Sequence, residues 1–416
     1  MRKILPVFFV FFVLFFSFCS SEKDPVSNTG KPPVDTTNPE DTTEKGFTLL
    51  PKNLALKSDL YLEGGILLDQ NDNPKYNISG RTWQGIPSIG KDNLGYLYAA
   101  WVTGGKGEGN DNYLTLSLSK DKGRTWSNDK LVIYVNPEDS TRVADPCFFN
   151  DKFGNLYMAW HKYVQKKENL KKEWAIVWYS KLEFSEEDNT IHFTPPRRIA
   201  EGSMLNKPFY SEASGQFFFP IARWYEGDAL LHRPFIYSAS YGEHSLVNFS
   251  KIGFIPVNPD IMGIHEHMIV QLKDQSFLGM VRTFDGIYYS KSKDGAIWDM
   301  SKKFTDLGST TVARFHLGKL KSGRLILIFN NATTRSNLVI FLSEDDGVTW
   351  PYKMTINGGN HVSYPDMIET EPGVLNIVHD FSRNLVGTIQ FIEVHEDMII
   401  KGSYGGVFRS KISSLK

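Results

Sequence analysis

Ser119-Lys120-Asp121-Lys122-Gly123-Arg124-Thr125-Trp126 and Ser343-Glu344-Asp345-Asp346-Gly347-Val348-Thr349-Trp350 are one phrase written twice, with Ser, Asp, Gly, Thr and Trp at matching positions. A shortened copy stands at Ser292-Lys293-Asp294-Gly295-Ala296-Ile297-Trp298. Asp and Gly make a tight turn, the Asp carboxylate accepts bonds from nearby backbone amides, and the Trp packs under the next strand. Copies of one turn spread along the chain imply a repeated sheet unit.

A second repeat agrees. Asp92, Gly95, Leu97-Tyr98 and Ala100-Trp101 recur at the same spacing as Asp151, Gly154, Leu156-Tyr157 and Ala159-Trp160. Each reads as a Gly-containing turn leading into a buried strand. Leu325-Ile326-Leu327-Ile328-Phe329 is another short apolar run, and few stretches show helical periodicity over ten or more residues. Strands that follow strands without long helices argue against a doubly wound sheet.

The ends of the chain differ from its middle. Arg2 and Lys3 precede an apolar, Phe-rich run, so 1–18 reads as a signal peptide. Residues 19–46, rich in Pro, Thr, Asp and Lys, cannot bury enough surface to order themselves and read as a flexible tether. From 47 to 416 there is room for six blades of four short strands, with five or seven left open. Charges nearly cancel, 46 basic against 47 acidic, so the basic excess of a nucleic-acid binder is missing. Two cysteines, Cys19 and Cys147, cannot build a disulfide framework or a Cys-based zinc site. A monomer without a cofactor is expected.

The Ser-x-Asp-x-Gly-x-Thr-Trp phrase resembles the Asp-box, which in the families that carry it turns the outer strands of a propeller blade. Cys19 with Ser20-Ser21-Glu22-Lys23-Asp24 resembles a bacterial lipoprotein signal, which implies acylation at Cys19 and anchoring to the outer membrane or cell surface. Further motifs across 75–395 resemble the sialidase (neuraminidase) superfamily. Glu266-His267-Met268-Ile269-Val270-Gln271-Leu272-Lys273-Asp274-Gln275-Ser276, running on to Arg282, resembles the sialidase stretch from the nucleophile-activating Glu to a substrate-binding Arg. Thr334-Arg335-Ser336 ahead of an apolar strand is similar to the segment bearing another arginine, with Arg314 as a fallback. Ser363-Tyr364-Pro365-Asp366-Met367 resembles the segment of the nucleophilic Tyr. The Gly-rich loop 103–112 lies where sialidases carry their acid/base, and offers Glu108 and Asp111. The family's Arg-Ile-Pro reads Gly85-Ile86-Pro87 here, which leaves Arg81 as the upstream substitute and Trp83 and Gln84 to shape a different subsite.

The resemblance implies an all-β, six-bladed propeller that is an exo-acting, retaining glycosidase on a terminal acidic sugar. Tyr364 would be its nucleophile, Glu266 the base, Glu108 or Asp111 the acid/base, and Arg81, Arg282 and Arg335 the carboxylate ligands, beside Trp83, Gln84 and His267. Guanidinium groups bind a carboxylate bidentately and stay charged, and a Tyr nucleophile escapes repulsion by that carboxylate. His265 and His267 flank Glu266 on one face of a strand, but two ligands are not a metal site. Asp145, after Arg142, reads as a turn residue or a pocket residue, and Glu212 with Arg223 is a further candidate pair. A lyase or uronate-directed enzyme, and a non-catalytic glycan-binding propeller, remain open alternatives.

Overall fold

The computed structural model describes residues 66–68, 76, 78–127, 131–134, 141–165, 172–187, 189–224, 232–242 and 245–415. The expected signal peptide, Cys19 and the tether lie outside these residues. The described strands form six antiparallel sheets, each from one consecutive stretch of chain, and together they make a six-bladed β-propeller. The first strands of the blades are Trp83–Lys91, Thr141–Asn150, Phe209–Ser211, Met268–Gln271, His316–Lys319 and Val362–Glu371. They gather around the axis, and the chain meanders outward from each. Ile66–Leu68 adds a strand to the outer edge of blade 1, antiparallel to Leu131–Tyr134.

A middle strand of a blade is covered on both faces by the neighbouring blades, so it reads as a continuous apolar run rather than an alternating one. In Leu325–Asn330, Leu325, Leu327 and Phe329 pack toward blade 4, whereas Ile326 and Ile328 pack toward blade 6. Truncating one such residue to Ala costs about 2–5 kcal/mol, because the rigid neighbouring blade cannot collapse into the space.

Blade 1 comes wholly from the N-terminal side and blade 6 from the C-terminal side, so packing closes the ring between them. Ile89, Leu97, Ala99 and Trp101 of blade 1 share a core with Val378, Ile389, Phe391 and Ile412 of blade 6. Gln84 lies wholly inside this seam. Its amide donates to the Gly387 carbonyl at 2.5 Å, and its oxygen accepts from Trp101 Nε1 at 3.0 Å and Ser413 Oγ at 3.1 Å. Gln84 is therefore a seam residue, which corrects its reading as a subsite residue.

The turns behave as the repeats imply. Asp121 Oδ1 accepts from Ser119 Oγ at 2.8 Å and from the Thr125 amide at 2.8 Å, and Thr125 Oγ1 donates to Asp121 Oδ2 at 2.6 Å. Ser343, Asp345 and Thr349 repeat these bonds at 2.9, 2.8 and 2.6 Å. The turns sit between the third and fourth strands of blades 1 and 5, with both Asp residues exposed. The shortened copy occupies the same place in blade 4.

The axis is filled by charge rather than by apolar side chains. Asp366 pairs with Lys207 Nζ at 2.8 Å and accepts from Ser88 Oγ at 2.7 Å and the Ile89 amide at 2.9 Å. Burial alone would raise its carboxyl, but Lys207 and His316 hold it well below the usual range. Arg314, 1% exposed, donates to the carbonyls of Leu205, Pro87 and Tyr364 at 3.1, 2.6 and 3.0 Å. It ties three parts of the ring together, with both terminal nitrogens bonded to backbone.

Candidate active site

Three inner strands break their ladders in the same way. Register shifts fall between Gly85 and Ser88, Ala144 and Cys147, and Ser363 and Asp366. Within them Ile86, Asp145 and Tyr364 take φ of 60°, 53° and 57°. Each precedes a proline, Pro87, Pro146 or Pro365, although a residue before proline favours extended backbone. A left-handed non-glycine costs about 1–3 kcal/mol and persists where its surroundings over-determine it. These bulges re-aim one side chain per strand. Asp145 is thus a strand-bulge residue rather than a turn residue, and its Oδ2 lies 2.8 Å from Nε2 of buried His161.

At the bulge of blade 6, the Tyr364 hydroxyl donates to Glu266 Oε1 at 2.9 Å and accepts from Arg282 Nη1 at 3.0 Å. Arg282 also pairs with Glu266 Oε2. All three are buried, with exposures of 5%, 3% and 7% for Tyr364, Glu266 and Arg282. Burial, then the Glu266 charge, push the Tyr364 hydroxyl above its ordinary range, while Arg282 and Arg335 pull the other way. The arrangement can move the phenol proton onto a carboxylate while a guanidinium steadies the oxygen left behind.

Three further guanidiniums lie over the Tyr364 ring, Arg383 at 4.5 Å, Arg335 at 5.0 Å and Arg314 at 5.1 Å from its centre. Arg383 is the residue the sequence reading missed. It sits in the turn after Val374–Phe381, with no motif around it. A Cβ added at Gly85 would lie 3.0 Å from Arg383 Cδ and 3.1 Å from Asp380 Oδ2, so Arg383 fills the space a side chain at 85 would need. Arg335 and Arg383, with His361, Ser363, Ser382, Asn384 and Leu385, line a cavity of about 310 Å³.

Glu108 reaches the same cluster from the blade 1 loop. Its carboxylate is 3.5 Å from Arg383 Nη1 and 3.6 Å from Arg142 Nη2. Asp111 is exposed on that loop, and none of its described contacts is with this cluster. Arg81 is turned away: Nε donates to the Tyr113 hydroxyl at 2.8 Å and Nη2 to the Tyr76 carbonyl at 2.9 Å. Trp83 is buried and donates from Nε1 to Asn384 Oδ1 at 2.8 Å, so it touches the cavity wall without forming it. The rings of His265 and His267 bond the carbonyls of Arg282 at 3.2 Å and Phe235 at 2.7 Å. Burial lowers the two histidines to about 3 and about 4. His267 thus faces blade 3 rather than a substrate. Glu212 is exposed, and Arg223 pairs instead with Glu201 at 2.9 Å.

Solved structures share the architecture. The Hadza microbial sialidase Hz136 superposes with a TM-score of 0.57 at 16% identity, over 80% of this chain and 68% of that one. A leech intramolecular trans-sialidase gives 0.56 at 13% identity, over 84% and 74%. A Penicillium chrysogenum α-L-arabinanase gives 0.51 at 13% identity, over 81% and 98%. At such identities the likeness establishes a propeller of the kind found in sialidases and other glycosidases, and substrate has to be argued from the site. A search of curated proteins returned no match. Residues 95–377 match the family described as BNR repeat-like domain, and the chain belongs to that family.

Proposed function

We propose that the protein is a retaining, exo-acting glycoside hydrolase of sialidase type, cleaving a terminal acidic sugar from a glycan. The observation that carries this reading is the buried Tyr364–Glu266–Arg282 group, whose phenol hydroxyl is 2.9 Å from a carboxylate. In the first step the Tyr364 oxygen attacks the anomeric carbon as its proton passes to Glu266. Glu108 protonates the leaving oxygen. In the second step Glu108 takes a proton from water, the hydroxide adds to the anomeric carbon, and Tyr364 leaves with the proton returned by Glu266. A neutral nucleophile beside several arginines suits a substrate whose carboxylate adjoins the reacting carbon. The histidines flanking Glu266 are each only 1% exposed, which keeps them from a substrate and favours hydrolysis over a histidine-based lyase. Lipid anchoring through Cys19 at a bacterial surface belongs to the same proposal.

Hydrolysis of 4-methylumbelliferyl α-N-acetylneuraminide tests the reading. Release of fluorophore that falls by orders of magnitude in Tyr364→Phe supports it. Cleavage only of neutral glycosides, or a product carrying a new double bond, contradicts it.

A further inference from the structure

Arg383, which is buried, and Arg335, which is half-buried, stand out among the arginines of the site because they are underused. Arg282 is spent on Glu266 and Tyr364, Arg314 on three carbonyls and Arg81 on two tyrosines. Among the described residues, no hydrogen bond or ion pair engages the Arg335 guanidinium. Arg383 has only long contacts, 3.5 Å to Glu108 and 3.9 Å to Asp380. Strong charge-assisted bonds are about 2.7–2.9 Å long. Both guanidiniums line the cavity, and both lie over the ring of Tyr364.

We propose that Arg383 joins Arg335 in holding the substrate's anionic group, in place of the arginine missing at position 85, and that Gly85 is the specificity-determining residue that admits it. The group is a carboxylate carried on or beside the anomeric carbon. The assignment rests on the proposed hydrolase reading for its substrate class, but the anion site stands on its own geometry. Gly85 takes no left-handed φ, so a side chain there meets no backbone penalty. Its nearest neighbours are the side chains of Arg383 and Asp380, at 3.0 and 3.1 Å. A glycine on the inner strand of blade 1 therefore leaves the arginine supplied by a turn of blade 6 in place, whereas a side chain there would push it aside. This also accounts for the chain's departure from Arg-Ile-Pro: the positive charge enters from the other side of the seam.

The test uses the full chain with two probes, the fluorogenic neuraminide above and 2-deoxy-2,3-didehydro-N-acetylneuraminic acid in calorimetry. Losing one charge-assisted contact corresponds to roughly tenfold to 150-fold. Arg383→Ala should lose that much probe affinity and kcat/KM, and Arg383→Lys should recover only part, since an ammonium cannot bind bidentately. Gly85→Ala should lower affinity in the parent but add nothing in the Arg383→Ala background, because it acts by displacing that side chain. Thermal melting of each variant confirms folding. If Arg383→Ala stays within twofold of the parent in probe affinity, or if the parent does not bind the probe, the anion pair is wrong. Additive effects of Gly85→Ala and Arg383→Ala overturn the role of Gly85. A parent that binds the probe through Arg383 without cleaving the neuraminide sustains the anion site and refutes the hydrolase reading. A parent that cleaves the neuraminide with Arg383→Ala unaffected does the reverse.

Discussion

Tyr364 and Glu266, which are 98 residues apart in sequence, meet at 2.9 Å between phenol oxygen and carboxylate. Neither residue controls that meeting alone. Tyr364 reaches inward because its backbone is held left-handed ahead of Pro365. Glu266 stands just before the inner strand of blade 4, where Asn206 takes the Glu266 and His267 carbonyls at 2.8 and 3.1 Å. Arg282, at the end of the next strand, bridges the two. The contact is therefore a property of the ring, and elements that hold the ring should act on it.

Arg314 is the first such element. Replacing it with Leu removes the donor from three buried carbonyls, those of Leu205, Pro87 and Tyr364. A buried group left without its partner costs about 1–3 kcal/mol. Chemical denaturation should show Arg314→Leu destabilised by at least about 3 kcal/mol, with Arg314→Lys intermediate.

Asp380 gives a pH signature. Burial raises its carboxyl to about 6, against 3.8 for the ordinary group, although Ser363 and the Ile86 amide bond its oxygens. The folded form thus binds this proton more tightly than the unfolded chain. Its charge opposes folding above pH 6, and that opposition is relieved as pH falls from 6 toward 4. Asp380→Asn should remove this dependence. The stability difference between variant and parent should favour the variant more at pH 7 than at pH 4, by on the order of 1–3 kcal/mol.

Asp345 tests the separation of frame from site. Its bonds are all within its own turn: Ser343, Thr349 and no residue of the cavity. Asp345→Ala should lower the melting temperature while leaving kcat/KM on the fluorogenic neuraminide at the parent value. A matching loss of kcat/KM in fully folded variant would place the turn in the chemistry.

What could be read from the sequence follows from how local each cause is. The Asp121 and Asp345 turns were legible because every bond lies within a few residues. The paired apolar faces of Leu325–Asn330 were legible as a buried strand for the same reason. Glu266, Arg282 and Tyr364 stood out through motifs, and the fold brings them together. Side-chain direction was not legible. Gln84 sits beside a ladder shift that aims it into the seam, and Arg81 finds its partners in Tyr76 and Tyr113 rather than the channel. Arg383 was invisible because its meaning depends on Gly85, at the other end of the chain, having no side chain.

The measurement that bears most directly on the account is mass spectrometry of the protein after reaction with a 2,3-difluoro sialic acid. Fluorine beside the anomeric carbon slows breakdown of a glycosyl-enzyme, and a fluoride leaving group lets it form. A stoichiometric adduct on the peptide containing Tyr364, absent from folded Tyr364→Phe, is the predicted result. An adduct on any other residue, or an identical adduct in Tyr364→Phe, would contradict Tyr364 as the nucleophile.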